Sequence, residues 1–159
     1  MNKSVLSTIH LMLELLSYVL LIASFAVAIP TMASGKEIPV HFDMVGNITE
    51  YGGPGILIVV PLVMLIINSS VSVMLHCFPF SSWNMPFKVK PQNQRRVYGC
   101  VGYMIVIMAV LMSIFSLVFT ILVGTGVTKT VGIFTIFFSA AVIADIIISL
   151  VAAGILNGK

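Results

Sequence analysis

Four long apolar runs, separated by short polar segments, dominate the pattern of hydrophobic and polar positions along the chain. A helix that crosses a bilayer needs about 20 apolar residues, and each run is long enough. Strands of a membrane barrel would alternate apolar with polar residues, and these runs do not alternate. Because a lipid-exposed backbone must satisfy its hydrogen bonds internally, helix is the predicted element. The predicted spans are residues 11–33, 55–77, 97–123 and 130–156.

The composition agrees with a surface that faces lipid. Of the 159 residues, 59% are hydrophobic and 8% are charged. Soluble domains carry about a quarter charged residues, so this chain has too few to coat a surface in water. The predicted fold class is all-α. We expect a polytopic membrane protein in which four transmembrane helices form a single bundle over residues 1–159, with a short ordered outer loop between the first two helices.

Lysines and arginines predict the orientation in the membrane. Four of the eight lie in the connector at residues 78–96, and Lys3 and Lys159 flank the first and last spans. Lys36 and Lys129 lie on the opposite side. Basic residues in short loops favour the cytoplasmic side, so both termini and the connector are predicted to be cytoplasmic. The net charge of +3 then reflects topology and attraction to anionic lipid, and no nucleic-acid partner is expected.

The first span has a second interpretation as a cleaved signal peptide. Lys3 gives a basic start, and Thr31-Met32-Ala33 is similar to a small-residue cleavage site. The apolar stretch is longer than the usual length of about 7–15 residues, and Pro30 stands beside the site. A retained first span is therefore the prediction, and cleavage would leave three spans.

The loop at residues 34–54 joins the first two spans on the predicted outer side. Residues 38–42 are predicted to be extended, with His41 and Asp43 on one face. Residues 43–46 are predicted to form a turn. Pro54 suits the first turn of the following helix. The loop is therefore expected to be an ordered, net-acidic cap over the bundle.

Several residues in and near this loop occur together in one protein family. They are Ile38-Pro39-Val40-His41-Phe42-Asp43, then Gly46, Tyr51-Gly52 and Pro61, with Asn93-Gln94-Arg95-Arg96-Val97-Tyr98 at the opening of the third span. The stretch resembles the signature of the domain of unknown function 1648 family, which includes the SdpI-like immunity proteins of Gram-positive bacteria. The family usually has Lys or Arg after the aromatic-glycine pair, where this chain has Gly53-Pro54.

The resemblance implies a non-enzymatic protein of a bacterial plasma membrane with an immunity or sensing role. Its partner would be a peptide toxin, a lipid or another membrane protein, and a homo-oligomer is an open alternative. The candidate binding residues are His41, Phe42, Asp43 and Tyr51. A structural alternative remains open, in which His41 bonds a carbonyl and Asp43 accepts backbone N–H groups in the turn.

Neither a metal nor a cofactor is predicted. Glu37, His41, Asp43 and Glu50 offer suitable ligand types but no fixed spacing. The chain has no nucleophile set and no phosphate-binding glycine loop, so an enzyme is not expected. Cys77 and Cys100 lie near the predicted cytoplasmic face, where free thiols are the expectation.

Three polar residues inside the spans form a second group of candidates: Glu14, Asn68 and Asp145. Buried charge in a bilayer costs several kcal/mol unless it is paired or neutralised, so each residue needs a partner. At 1.5 Å per residue, Asp145 and Asn68 lie at nearly the same depth. We therefore predict that Asp145 bonds near Asn68, Ser69 or Ser72. Glu14 lies near the depth of His76, Tyr98 and Arg95, and one of these is its predicted partner.

These intramembrane residues leave two interpretations open. They form interhelical hydrogen bonds that hold the bundle, or they line an ion or proton path in a small transporter or channel. An accessory subunit of a larger complex is a third class. Small residues also favour close helix packing, at Gly99 and Gly102 and at Ala140, Ala144, Ser149 and Ala153. Pro61 predicts a kink in the second span.

Overall fold

Four long helices and one β-hairpin make up the described chain. The computed structural model describes residues 6–43 and 46–159, and Lys3 lies outside that part. All four helices are long and apolar enough to cross a membrane, which confirms the predicted fold class. The elements in order are α1 (Thr8–Ala33), β1 (Ile38–Phe42), β2 (Ile48–Gly52), α2 (Val59–Cys77), α3 (Gln94–Gly124) and α4 (Val131–Gly158).

Two helices begin earlier than the apolar runs predict. α1 starts at Thr8, because Ser7 and His10 bond to each other across its first turn. α3 starts at Gln94, directly after a 3-10 turn at Pro91–Asn93. Proline suits such a start, because its missing N–H needs no acceptor there. Arg95 and Arg96 consequently belong to the first turn of a helix and not to a loop.

A change of helix type lies directly before Pro61, and the kink predicted for the second span stays a prediction. A 3-10 segment at Pro54–Ile58 leads into α2 at Val59. Pro61 has no N–H to donate to the Leu57 carbonyl, so the regular α-helical ladder is interrupted within this turn. Pro54 opens the segment as predicted.

α3 is the central helix of the bundle. It packs against α1, α2 and α4, whereas α4 packs mainly on α3. α1 and α3 run parallel, with Ser7 near Tyr103 at one end and Thr31 near Gly124 at the other. Half of the buried positions on these two helices are small: Ser17, Ser24 and Ala28 on α1, and Gly102, Ala109, Ser113, Ser116 and Thr120 on α3.

We call the contact between these residues the α1–α3 seam. Its small side chains allow the two backbones to approach closely. Small side chains allow helices in lipid to pack by van der Waals contact. Gly102 was a predicted packing residue, and a Cβ there would lie 3.2 Å from the His10 ring. Ala153 on α4 is fully buried, but Ala140 and Ala144 are exposed. The small residues of α4 therefore serve packing only near its C-terminal end.

The two ends of the bundle have separate apolar cores. The hairpin-end cluster consists of Ala28, Ile38, Leu57, Val123 and Val131. The cluster at the opposite end consists of Leu75, Val97, Val101, Ile105, Val106 and Ala153. We call this second end the basic end, because the connector and the C-terminus meet there: Lys88 and Lys90 both contact Asn157.

The connector after α2 folds back onto the basic end. Trp83, Met85 and Phe87 are half-buried against its cluster. Phe80 stacks on Tyr98, with ring centroids 4.8 Å apart. The sequence pattern predicted only a basic connector here. The structure shows that its aromatic side chains also cover the first turns of α3.

Candidate functional site

The loop between α1 and α2 is a two-stranded antiparallel hairpin. β1 pairs with β2 in the register Pro39↔Tyr51 and His41↔Glu50, with a bulge on either side of His41. The extended segment at residues 38–42 was predicted and is confirmed. β2 was not predicted, and Ile48–Gly52 is mostly exposed.

Asp43 organises the turn that joins the strands. Its carboxylate accepts the Asn47 backbone N–H at 2.8 Å and the Asn47 amide at 2.8 Å. The Gly46 N–H donates to the Asp43 carbonyl at 3.0 Å, and Gly46 has a positive φ of 85°. The predicted structural role of Asp43 in accepting backbone N–H groups is therefore confirmed.

Apolar packing fixes the hairpin to the helices. Ile38 is buried in the hairpin-end cluster, and Val40 and Phe42 pack against it. A Cβ at Gly46 would lie 3.1 Å from the Lys129 Cα, so the turn touches the α3–α4 loop. Phe42, predicted to contact a partner, is half-buried and anchors the hairpin.

The other predicted binding residues lie on the exposed side of the hairpin. His41 Nδ1 lies 2.8 Å from Glu50 Oε2, and the two side chains are 69% and 64% exposed. This pairing replaces the carbonyl partner predicted for His41, because the strand register sets the two residues opposite each other. Tyr51 is exposed beside a cavity of about 270 Å³ that Lys36 also lines.

Glu14 joins α1 to α2 within the membrane. Its carboxylate accepts the Ser72 hydroxyl and lies 2.8 Å from His76 Nε2. The prediction of a partner among His76, Tyr98 and Arg95 is confirmed for His76. Both carboxylate oxygens have a partner, as a polar group at this depth requires.

Asn68 and Asp145 do not meet. Asn68 donates to the Ser113 hydroxyl at 2.9 Å and to the Ala109 carbonyl at 3.4 Å, both on α3. Asp145 accepts the Ser149 hydroxyl at 3.4 Å, and its Oδ2 has no hydrogen-bond partner among the described residues. The predicted pairing is wrong, because α4 packs on α3 and does not lie beside α2.

A buried histidine at the start of α1 escaped the sequence analysis. His10 is 2% exposed, and its Nδ1 accepts the Ser7 backbone N–H at 3.0 Å. The proton therefore sits on Nε2, which donates to the Gly99 carbonyl at 3.2 Å. The Ser7 hydroxyl lies 2.8 Å from the Tyr103 hydroxyl, and the His10 ring stacks on Tyr103. The sequence did contain a signal for this arrangement, because Ser7 lies three residues before His10 at the edge of an apolar run.

The described residues hold no cluster suited to a metal ion. Across residues 6–43 and 46–159, no three His, Cys, Asp or Glu side chains come together. His41 and Glu50 form a pair that lacks a third ligand. Cys77 and Cys100 are free thiols, as predicted.

Comparison with known proteins returned no relative. No protein-family model, no curated protein and no solved structure matches the chain. The fold itself defines the class: four apolar helices make this an integral, multi-pass membrane protein. The family resemblance rests on the hairpin residues and stays a prediction.

Proposed function

We propose that this chain is a non-enzymatic recognition protein of the SdpI-like type, with an immunity or sensing role in a bacterial plasma membrane. One observation carries the proposal: a hairpin fixed to the bundle presents exposed His41, Glu50 and Tyr51. The partner is a peptide toxin or another membrane protein that reaches this surface.

The rigidity of the hairpin supports recognition. A two-stranded hairpin alone is marginally stable in water. Here Ile38 and Phe42 pack into the bundle and Gly46 contacts the α3–α4 loop. A surface fixed before binding loses less conformational entropy on association. Tyrosine is enriched among the residues that dominate binding energies, so Tyr51 is the central contact.

The charge distribution supports an outward-facing hairpin. Lys88, Lys90, Arg95 and Arg96 lie at the opposite end of the molecule, where Asn157 joins the connector to α4. Basic residues at membrane ends favour the cytoplasm. With the basic end inside, both termini are cytoplasmic and the net-acidic hairpin is extracytoplasmic.

Survival of bacterial cells in conditioned medium from the source strain tests the proposal. Cells that produce the chain should survive better than cells that lack it, and the His41→Ala/Tyr51→Ala variant should lose the advantage. Ser139→Ala, on the exposed side of α4, is the matched control. Equal survival of the double variant and the wild type, at equal membrane levels, would contradict the proposal.

A small proton-coupled transporter is the second candidate, favoured by the Glu14 cluster. A carboxylate, a hydroxyl and an imidazole meet between α1 and α2, which is a costly arrangement in lipid. Proteoliposomes with an entrapped pH dye would report proton movement that Glu14→Gln abolishes. The absence of any movement with the wild type would remove this candidate.

A further inference from the structure

A second cavity lies at the basic end, far from the hairpin. It has a volume of about 720 Å³ and opens between the start of α1, the first turns of α3 and the last turns of α4. Two arginines, Arg95 and Arg96, line it together with Leu6 and apolar side chains of α4. Cationic and apolar side chains therefore line the same cavity.

The two arginines are available to a ligand. Arg95 and Arg96 are exposed, and within the described part of the chain neither forms an ion pair. A guanidinium group presents a fork of N–H donors that matches the oxygens of a phosphate. The cavity therefore offers two adjacent phosphate-binding groups at its mouth.

The rest of the cavity suits a hydrocarbon chain. Ile148, Ala152 and Leu156 form its wall on α4, and Leu6, which precedes α1, also lines it. From Arg95 to Tyr103 the cavity follows α3 for eight residues, or roughly 12 Å at 1.5 Å per residue. It thus extends from the level of lipid headgroups into the depth of the acyl chains.

Hydrogen bonds hold the α4 wall in place. Asn157 accepts the Lys90 backbone N–H at 2.8 Å and donates to the Lys88 carbonyl at 3.0 Å. The Asn93 amide donates to the Asn157 carbonyl at 3.1 Å. The end of α4 is thereby fixed beside the start of α3, so the cavity has a defined width.

We propose that this cavity binds one anionic phospholipid, with its phosphate between Arg95 and Arg96 and one acyl chain along Ile148, Ala152 and Leu156. Lys88, Lys90 and Lys159 add positive charge at the same end. That charge repels the ammonium group of a zwitterionic lipid and favours a lipid with net negative charge. The inference is independent of the function proposed for the hairpin.

Native mass spectrometry of the full chain in detergent tests this site. Phosphatidylglycerol and phosphatidylcholine are added at equal concentration, and the wild type should retain one phosphatidylglycerol in preference. Arg95→Gln/Arg96→Gln removes the two groups that contact the phosphate, so it should reduce phosphatidylglycerol binding roughly tenfold or more. Lys88→Gln/Lys159→Gln removes the same charge at the same end but outside the cavity, and it should leave most of the phosphatidylglycerol binding.

Filling the apolar part provides a second arm that leaves charge unchanged. Ala152→Phe should reduce phosphatidylglycerol binding, whereas Ala141→Phe, on an exposed position of the same helix, should not. Equal losses from the arginine and lysine pairs would show general attraction to the basic end and overturn the site. Displacement of the lipid by millimolar inorganic phosphate at constant ionic strength would also overturn it, because the site would then bind a free anion.

Discussion

The hairpin end and the basic end both have an apolar core, but they use their polar side chains differently. At the hairpin end, apolar packing and one turn hold β1 and β2, and the polar side chains His41 and Glu50 point outward. At the basic end, side-chain hydrogen bonds of His10 and Asn157 hold the helices together.

This difference assigns different tasks to polar residues at the two ends. A polar group that is exposed and weakly paired can change without loss of the fold, so it is free to serve recognition. A buried polar group must keep its partners, because an unpaired one costs about 1–3 kcal/mol. Substitutions at the two ends can therefore test the contrast directly.

The largest effect is expected at His10. His10→Ala removes a buried ring, its stacking on Tyr103 and its bond to the Gly99 carbonyl. We expect the free energy of unfolding to fall by about 3 kcal/mol, measured by dodecyl sulfate titration in mixed micelles. Ile9→Ala changes an exposed neighbour and should cost far less. Similar losses for both would refute the role given to His10.

Gly46 should show the next largest effect. Gly46→Ala combines a positive φ with a close approach to Lys129, and we expect a loss of about 2 kcal/mol. Gly35→Ala is the matched control, because Gly35 has a positive φ of 67° and no atom within 4 Å of its Cβ position. Hydrogen exchange of the hairpin should rise only for Gly46→Ala. Equal exchange in both variants would mean that the turn does not clamp the hairpin.

Asn157→Ala should weaken the basic end moderately. It removes the two side-chain bonds to the connector, and we expect a loss of about 1 kcal/mol in the same titration. Asn84→Ala, at an exposed position of the connector, is the control and should have little effect. A larger loss from Asn84→Ala would contradict the proposed clamp.

The smallest effect is expected at His41. An exposed side-chain pair contributes at most about 1 kcal/mol, so His41→Ala and Glu50→Ala should each change stability by less than about 0.5 kcal/mol. The free energy of unfolding of His41→Ala/Glu50→Ala should equal that of the single variants in the same titration. A loss as large as that of His10→Ala would mean that the hairpin end also depends on its polar side chains.

The spans could be predicted because length and hydropathy decide them. The depth of Glu14 identified His76 correctly, since both lie near one end of adjacent helices. Asp145 could not be placed in the same way. The position of a residue along its span predicts its depth in the membrane, but it does not predict which helix packs beside it. The apolar surface of α4 extends over nearly every side, so it did not indicate the packing partner.

Only the first strand of the hairpin could be predicted, because only β1 has a clear apolar pattern. β1 begins with buried Ile38 and Pro39, whereas the exposed β2 carries little apolar pattern. His10 escaped because it lies just before the predicted start of the first span. Its importance comes from Gly99 and Tyr103, which are far away in the sequence.

The α1–α3 seam also sets an order for biogenesis. The two partners are separated in the chain by α2, so the seam forms only after the third helix has entered the bilayer. Until then Ser17 and Ser24 face lipid or the insertion machinery. Each hydroxyl already donates within α1, Ser17 to the Glu14 carbonyl at 2.7 Å and Ser24 to the Leu20 carbonyl at 3.1 Å. Because these hydroxyls already have hydrogen-bond partners, α1 can lie in the membrane before α3 is inserted at little cost in free energy.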